Sequence, residues 1–189
     1  MASVTKFVGT GANTARGGSS VSWSSPGNVT ANDGSVSDVD EDLKDLGYTD
    51  YLTATMSGNV FAIAGDQVID GVEVEVEIFV NGTSSGRSEV EDLILVSSLG
   101  DGDDKGDDYQ LTTTPTIRTY GGAADTWGLA LTPAVVNATS FGAKLAVLEA
   151  LNGNGKRPRV DFIRITVYHS DESPGEPEPS ETSNKMMVL

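Results

Sequence analysis

This sequence predicts an all-β antiparallel sandwich, on three observations. Apolar and polar residues alternate with a period of two in run after run between Val21 and His169. Turn dipeptides punctuate the pattern at Asp70-Gly71, Asn81-Gly82, Asn152-Gly153 and Asn154-Gly155. No long helical period separates the runs, and the 22 glycines suit a turn-rich β protein better than a helical bundle. A chain of 189 residues accommodates one such domain with arms.

The organisation follows as an N-terminal arm (1–20), a sandwich (21–169) and a C-terminal tail (170–189). Few apolar side chains follow Val8 in the first segment. "GTGANTARGG" buries little surface alone, so the arm is ordered only by what packs on it. In "SWSSPGNVTANDGS", Trp23 reads as the last core residue of an early strand, and Pro26 to Gly34 as the turns that follow. "SDVDEDLKDLG" has an acidic start and a terminal glycine, which suit a short helix. "YLTATM" reads as a strand.

"GVEVEVEIFVNG" is the strongest strand. Val72, Val74, Val76, Ile78 and Val80 face one way, and Glu73, Glu75 and Glu77 the other. "DLILVSS" and "TIRTYG" are further strands. In "GGAADTWGLALTP", Trp127 starts a strand after a Gly-Gly turn and closes one end of the sandwich. "LTPAVVN" is a helical turn with Thr132 as N-cap and Pro133 at the first helical position. "FGAKLAVLEALNG" alternates yet is rich in helix formers. Its strand neighbours and the flanking Gly142 and Gly153 decide for a strand. "VDFIRITVYH" places Ile163, Ile165 and Val167 on one face, and Phe162, Arg164, Thr166 and Tyr168 on the other.

The tail alternates Pro with Glu and is expected to be extended and non-globular. It closes on four apolar residues, Met186, Met187, Val188 and Leu189. A polar spacer with an apolar plug reads as a hook for a neighbouring subunit. The alternative is a solvated tail with incidental apolar residues.

The net charge is −16, and residues 35–108 carry 19 acids against 3 bases. That imbalance argues against nucleic-acid binding by general electrostatic attraction. It serves either as a solvated acidic face or as a field that orients copies against a basic partner. No apolar run of about 18 residues is present, so no membrane span is expected. The N-terminus lacks the apolar region of a secretory signal. There are no cysteines, hence no disulfide or thiolate chemistry.

Tests for chemistry lead to the expectation of a non-enzymatic protein without a cofactor. The one histidine, His169, stands at a strand end with no triad or metal partners in its sequence neighbourhood. Glu73, Glu75 and Glu77 are paired carboxylates of the kind glycoside hydrolysis employs. On a regular strand they read more simply as a wet face balanced by cross-strand Arg164 or Arg159. In "DGDDKGDD", Asp101, Asp103 and Gly106 match positions 1, 3 and 6 of a calcium loop. Lys105 and Thr112 break positions 5 and 12, which leaves Asp101, Asp103 and Asp107 as incomplete metal candidates. No phosphate-binding glycine motif is present.

Four segments in order carry a resemblance. They are "WSSPGNVTANDGS", "YLTATMSGNVFAIAGDQVIDGVEVEVE", "YGGAADTWGLALTPAVVNATSFGAKLAV" and "RVDFIRITVYH". The chain resembles a family of structural proteins of tailed-phage and prophage virions, from about Trp23 to His169. The resemblance implies a jelly-roll-like sandwich with Trp23 and Trp127 as fold signatures. It implies a virion protein on the capsid exterior, a decoration or cement protein. Its partners would be the major capsid protein or other virion proteins, and its state a homo-oligomer. The alternative role is a structural or glycan-binding module of a tail, fibre or baseplate, which meets a host-surface glycan. "VSDVDEDLKDLGYTD", "DGDDKGDD" and the Pro/Glu tail depart from the shared pattern.

Overall fold

The computed structural model describes residues 1–18, 20–39, 41, 43, 47–82, 87–151 and 156–171, without the side chains of 150 and 151. The alternating runs become strands. In chain order they are β1 (Ala2–Phe7), β2 (Thr10–Thr14), β3 (Ser20–Val21), β4 (Trp23–Ser24), β5 (Ser37–Val39) and β6 (Tyr48–Thr49). There follow β7 (Tyr51–Thr55), β8 (Gln67–Asn81), β9 (Arg87–Ser97), β10 (Gly100–Asp104), β11 (Thr116–Gly122), β12 (Gly142–Leu151) and β13 (Arg157–Asp171). One sheet runs β11-β8-β13-β5-β4, with β1 also on β13. The other runs β10-β9-β12-β6-β3, with β7 on β12 and β2 on β7.

The winding is that of a jelly roll. Leaving β6 aside, β5 pairs with β13, β7 with β12, β8 with β11 and β9 with β10, all antiparallel. These are nested hairpin pairs, first with last and inward. Rolling that ribbon brings β8 against β13 and β9 against β12, which creates the two sheets. The sandwich expected from periodicity is therefore the fold.

Each inner face is the apolar half of an alternating strand. Val72, Val74, Val76, Ile78 and Val80 of β8 are buried, as are Ile163, Ile165 and Val167 of β13. Across from them lie Val90, Leu93 and Leu95 of β9 and Ala143, Leu145 and Val147 of β12. Each such Val, Leu or Ile side chain contributes about 1.5–3 kcal/mol by leaving water. On the outer face of β8, Arg164 holds Glu75 bidentately, Nε to Oε2 at 2.5 Å and Nη2 to Oε1 at 2.8 Å. Within the glutamate row, Glu75 is thus balanced by Arg164 as its cross-strand partner. The one-turn helix Pro133–Val136 begins at Thr132, whose Oγ1 accepts from the Val135 N–H at 3.4 Å.

Five expectations change. Asp70-Gly71 is not a turn but lies inside β8, and Trp127 sits in a turn rather than at the start of a strand. Residues 1–20 are not a separate arm, because β1 lines up on β13 and β2 on β7. Backbone hydrogen bonding needs no apolar sequence, and Arg16 and Asn13 add side-chain anchors. The segment "SDVDEDLKDLG" does not begin as a helix. Ser37 and Val39 are buried with Asp38 between them toward Arg159, Oδ2 at 3.7 Å from Nη2, so period two wins over the acidic helix-start signal. Positions 40, 42 and 44–46 of that segment lie outside the described residues.

Phe162, expected beside Arg164 on the wet face, is fully buried. The register of β13 shifts between Val160 and Ile163, where Phe162 bridges antiparallel to Thr30. Phe7 meets it edge-on at 5.5 Å.

Candidate functional site

Three places on the sandwich concentrate side-chain interactions that the strand pattern does not require. The first is built on Trp23. Its ring is buried, and Nε1 donates to the Asp50 carbonyl at 2.8 Å. The backbone N–H of Trp23 donates to Asn13 Oδ1 at 2.7 Å, and Asn13 Nδ2 donates to Asp50 Oδ2 at 2.8 Å.

Ser22 Oγ adds a bond to the same oxygen at 2.9 Å. Ser20 Oγ and the Arg16 N–H donate to Asp50 Oδ1. Four separate residues of the first 22 therefore converge on one carboxylate. Burial pushes the Asp50 carboxyl up, but the hydrogen bonds from Ser20, Asn13, Ser22 and Arg16 outweigh it and hold it below the usual carboxylate range. Arg16 is itself fixed, Nε to Asp92 Oδ2 at 2.7 Å, with its guanidinium 4.1 Å from the centre of the Tyr48 ring. This node fastens the N-terminal strands to the roll.

The second place is Trp127. Its indole is fully buried, and Nε1 donates to the Val72 carbonyl at 2.9 Å. The residue holds a left-handed φ of 57°. Asp125 Oδ1 accepts from its N–H at 2.8 Å, and Lys105 Nζ lies 2.9 Å from Asp125 Oδ2. Gly121 has φ 75°, and a Cβ there would stand 2.6 Å from the indole Nε1. The "GG-x-x-D-x-W-G" spacing is thus a backbone device that seats one ring in the core.

The acidic segment beside it closes a sheet edge. Asp103 N–H donates to the Trp127 carbonyl at 2.8 Å. Asp101 Oδ2 binds Lys144 Nζ at 2.6 Å. Asp104 Oδ1 accepts from the N–H groups of Leu93 and Gly106, both at 2.9 Å. Asp107 Oδ1 accepts from the Tyr109 N–H at 3.0 Å and from Arg118 Nη1 at 3.2 Å. Gly106 is required because a Cβ would lie 1.9 Å from the Glu91 carbonyl oxygen. The metal candidates Asp101, Asp103 and Asp107 are not brought together, and among the described residues no group of three acids or histidines is placed to hold an ion.

The third place is a cleft of about 540 Å³ lined by Arg87, Asp108, Tyr109, Gln110 and Thr112. Tyr109 is 69% exposed, the one aromatic side chain so open among the described residues. The Arg118 guanidinium lies 4.6 Å from the centre of its ring. Sequence reading passed over Tyr109, because nothing local distinguishes it from a loop tyrosine.

His169 is half-buried at the strand end, with Nδ1 2.9 Å from Gln67 Oε1. Met186, Met187, Val188 and Leu189 lie outside the described residues. No family model matches this chain, and neither a curated protein nor a solved structure does.

Proposed function

We propose that this chain is a non-enzymatic structural protein of a bacteriophage virion, a capsid decoration or cement protein that docks on the outer head surface as an oligomer. The observation that carries the reading is the place of the four resembling segments in the fold. They supply the buried Trp23, the β8 strand, the Trp127 turn, the Thr132-capped helix and β13, which together are the framework of the roll. A jelly-roll sandwich is also the fold that the resemblance implies.

Charge supports a docking role and indicates the partner's sign. Arg16, Arg87, Lys105, Arg118, Lys144, Arg159 and Arg164 each pair with an acid of the same chain. With these cations engaged internally and a net charge of −16, the outward field is acidic. The complementary surface on the major capsid protein or another virion protein is therefore basic or apolar. The plug Met186–Leu189 extends the contact to a neighbouring subunit.

The test is position in the particle. Particles of the encoding phage or prophage, separated into heads and tails, are expected to hold this chain in the head fraction, at a copy number that follows the lattice symmetry. Its recovery with tails alone overturns the head assignment in favour of a tail, fibre or baseplate module. A chain without Ser170–Leu189 is expected to bind heads more weakly, and undiminished binding removes the hook.

A further inference from the structure

We infer that the Tyr109 cleft is a binding site for a neutral sugar ring, stacked on the open face of the phenol. One face of that ring is covered by the Arg118 guanidinium, 4.6 Å from its centre. An exposure of 69% with one face covered means that the other face meets solvent. An aromatic face at a cleft, fixed from behind and bordered by polar groups, is a feature of ligand sites.

The support is rigid here on both sides of the residue. Asp107 Oδ1 accepts from the Tyr109 N–H and from Arg118 Nη1, and Arg118 Nη2 donates to the Gln110 carbonyl at 3.2 Å. Arg118 stands on β11, so the ring is referenced to the sheet rather than to a loose loop. That preorganisation lowers the entropy cost of binding.

The cleft walls supply what hydroxyl groups require. The Asp108 carboxylate lies 3.7 Å from Arg87 Nη2, yet it is 95% exposed and keeps acceptor capacity toward the cleft. The Gln110 amide both donates and accepts. Thr112 Oγ1 donates to the Thr114 carbonyl at 3.2 Å, which leaves its lone pairs as acceptors. An apolar ring face bordered by such groups matches a pyranose, whose C–H face is apolar and whose rim is hydroxylated. Arg87 also lines the cleft, but Glu89 and Asp108 engage its guanidinium at 2.7 and 3.7 Å, and with a net charge of −16 the site selects against uronic and sialic acids, so the ligand is neutral. Binding calls on no cation, since Asp101, Asp104 and Asp107 are engaged inside the chain. The inference does not rest on the virion assignment and holds whether the chain sits on a head or a tail.

Saturation-transfer NMR on the full chain, with the methyl glycosides of glucose, galactose and N-acetylglucosamine as probes, tests it. At least one probe is expected to receive saturation on the protons of a single ring face. Tyr109→Ala is expected to weaken that binding by about tenfold or more, with an unchanged melting temperature. Tyr109→Phe is expected to retain it, since stacking requires the ring and not the hydroxyl. No transfer to any of the three probes overturns the inference. So does equal binding by Tyr109→Ala, or loss of binding on adding EDTA.

Discussion

Trp127→Ala is expected to destabilise the protein by about 3–5 kcal/mol and to lower its melting temperature by roughly 10 °C. The indole is fully buried, so its removal leaves a cavity between β8 and the β10 edge. It also strands the Val72 carbonyl, which accepts from Nε1 at 2.9 Å. Trp127→Phe separates the two effects. It keeps most of the apolar volume and loses only the N–H, so its cost is expected to be about 1–3 kcal/mol. Thermal or urea unfolding of both variants measures this. A wild-type melting temperature for Trp127→Ala would remove Trp127 from the core and return it to the surface as a candidate binding aromatic. Trp23→Ala, whose ring is 4% exposed, is expected to fall in the same range.

Asp50→Asn is expected to cost about 2–3 kcal/mol near neutral pH, and the cost should shrink in acid. The Asp50 carboxylate accepts from Asn13, Arg16, Ser20 and Ser22, and an amide turns one acceptor into a donor that faces donors. The folded-state pKa lies below the ordinary value, so the folded chain binds this proton less readily than the unfolded chain. Its stabilisation is present above about pH 4 and is lost as the pH falls through the lower folded value. The stability curves of wild type and Asp50→Asn should therefore converge below about pH 4. A gap that stays constant with pH would assign the cost to shape and not to charge. Because the donors all lie in the first 22 residues, hydrogen exchange in β2 and β3 should rise before that of β8.

Much of the fold was legible because strands write their own signature. The period of two in "GVEVEVEIFVNG" needs only a one-sided core to become β8, and a Thr-Pro pair needs only its own backbone to start a helical turn. The same locality explains the failures. In residues 1–20 the stabilising bonds are backbone pairs to β13 and β7, more than 30 positions away, which composition does not register. Phe162 lies where the register of β13 shifts, bridged to Thr30 and edge-on to Phe7, both distant in sequence. Glu149 alternates like any strand residue, yet it is fully buried and accepts from Ser88 Oγ at 2.5 Å.

The candidate sites divide in the same way. The calcium-like spacing of "DGDDKGDD" is local and does not register that distant Lys144 and Arg118 pair two of its acids, Asp101 and Asp107. Tyr109 has no local mark and became a candidate only when β11 placed Arg118 beneath it.

By itself, the sequence determined the buried face of β8, the helical cap, the acidic balance and the burial of both tryptophans. These depend on side-chain polarity and on backbone geometry within a few residues. The tertiary structure alone decided that Asp50 gathers the N-terminal strands, that Arg164 and not Arg159 holds Glu75, and that one tyrosine lies open over a guanidinium. Those are meetings of groups far apart in the chain, and which groups meet is set by how the ribbon of strands rolls.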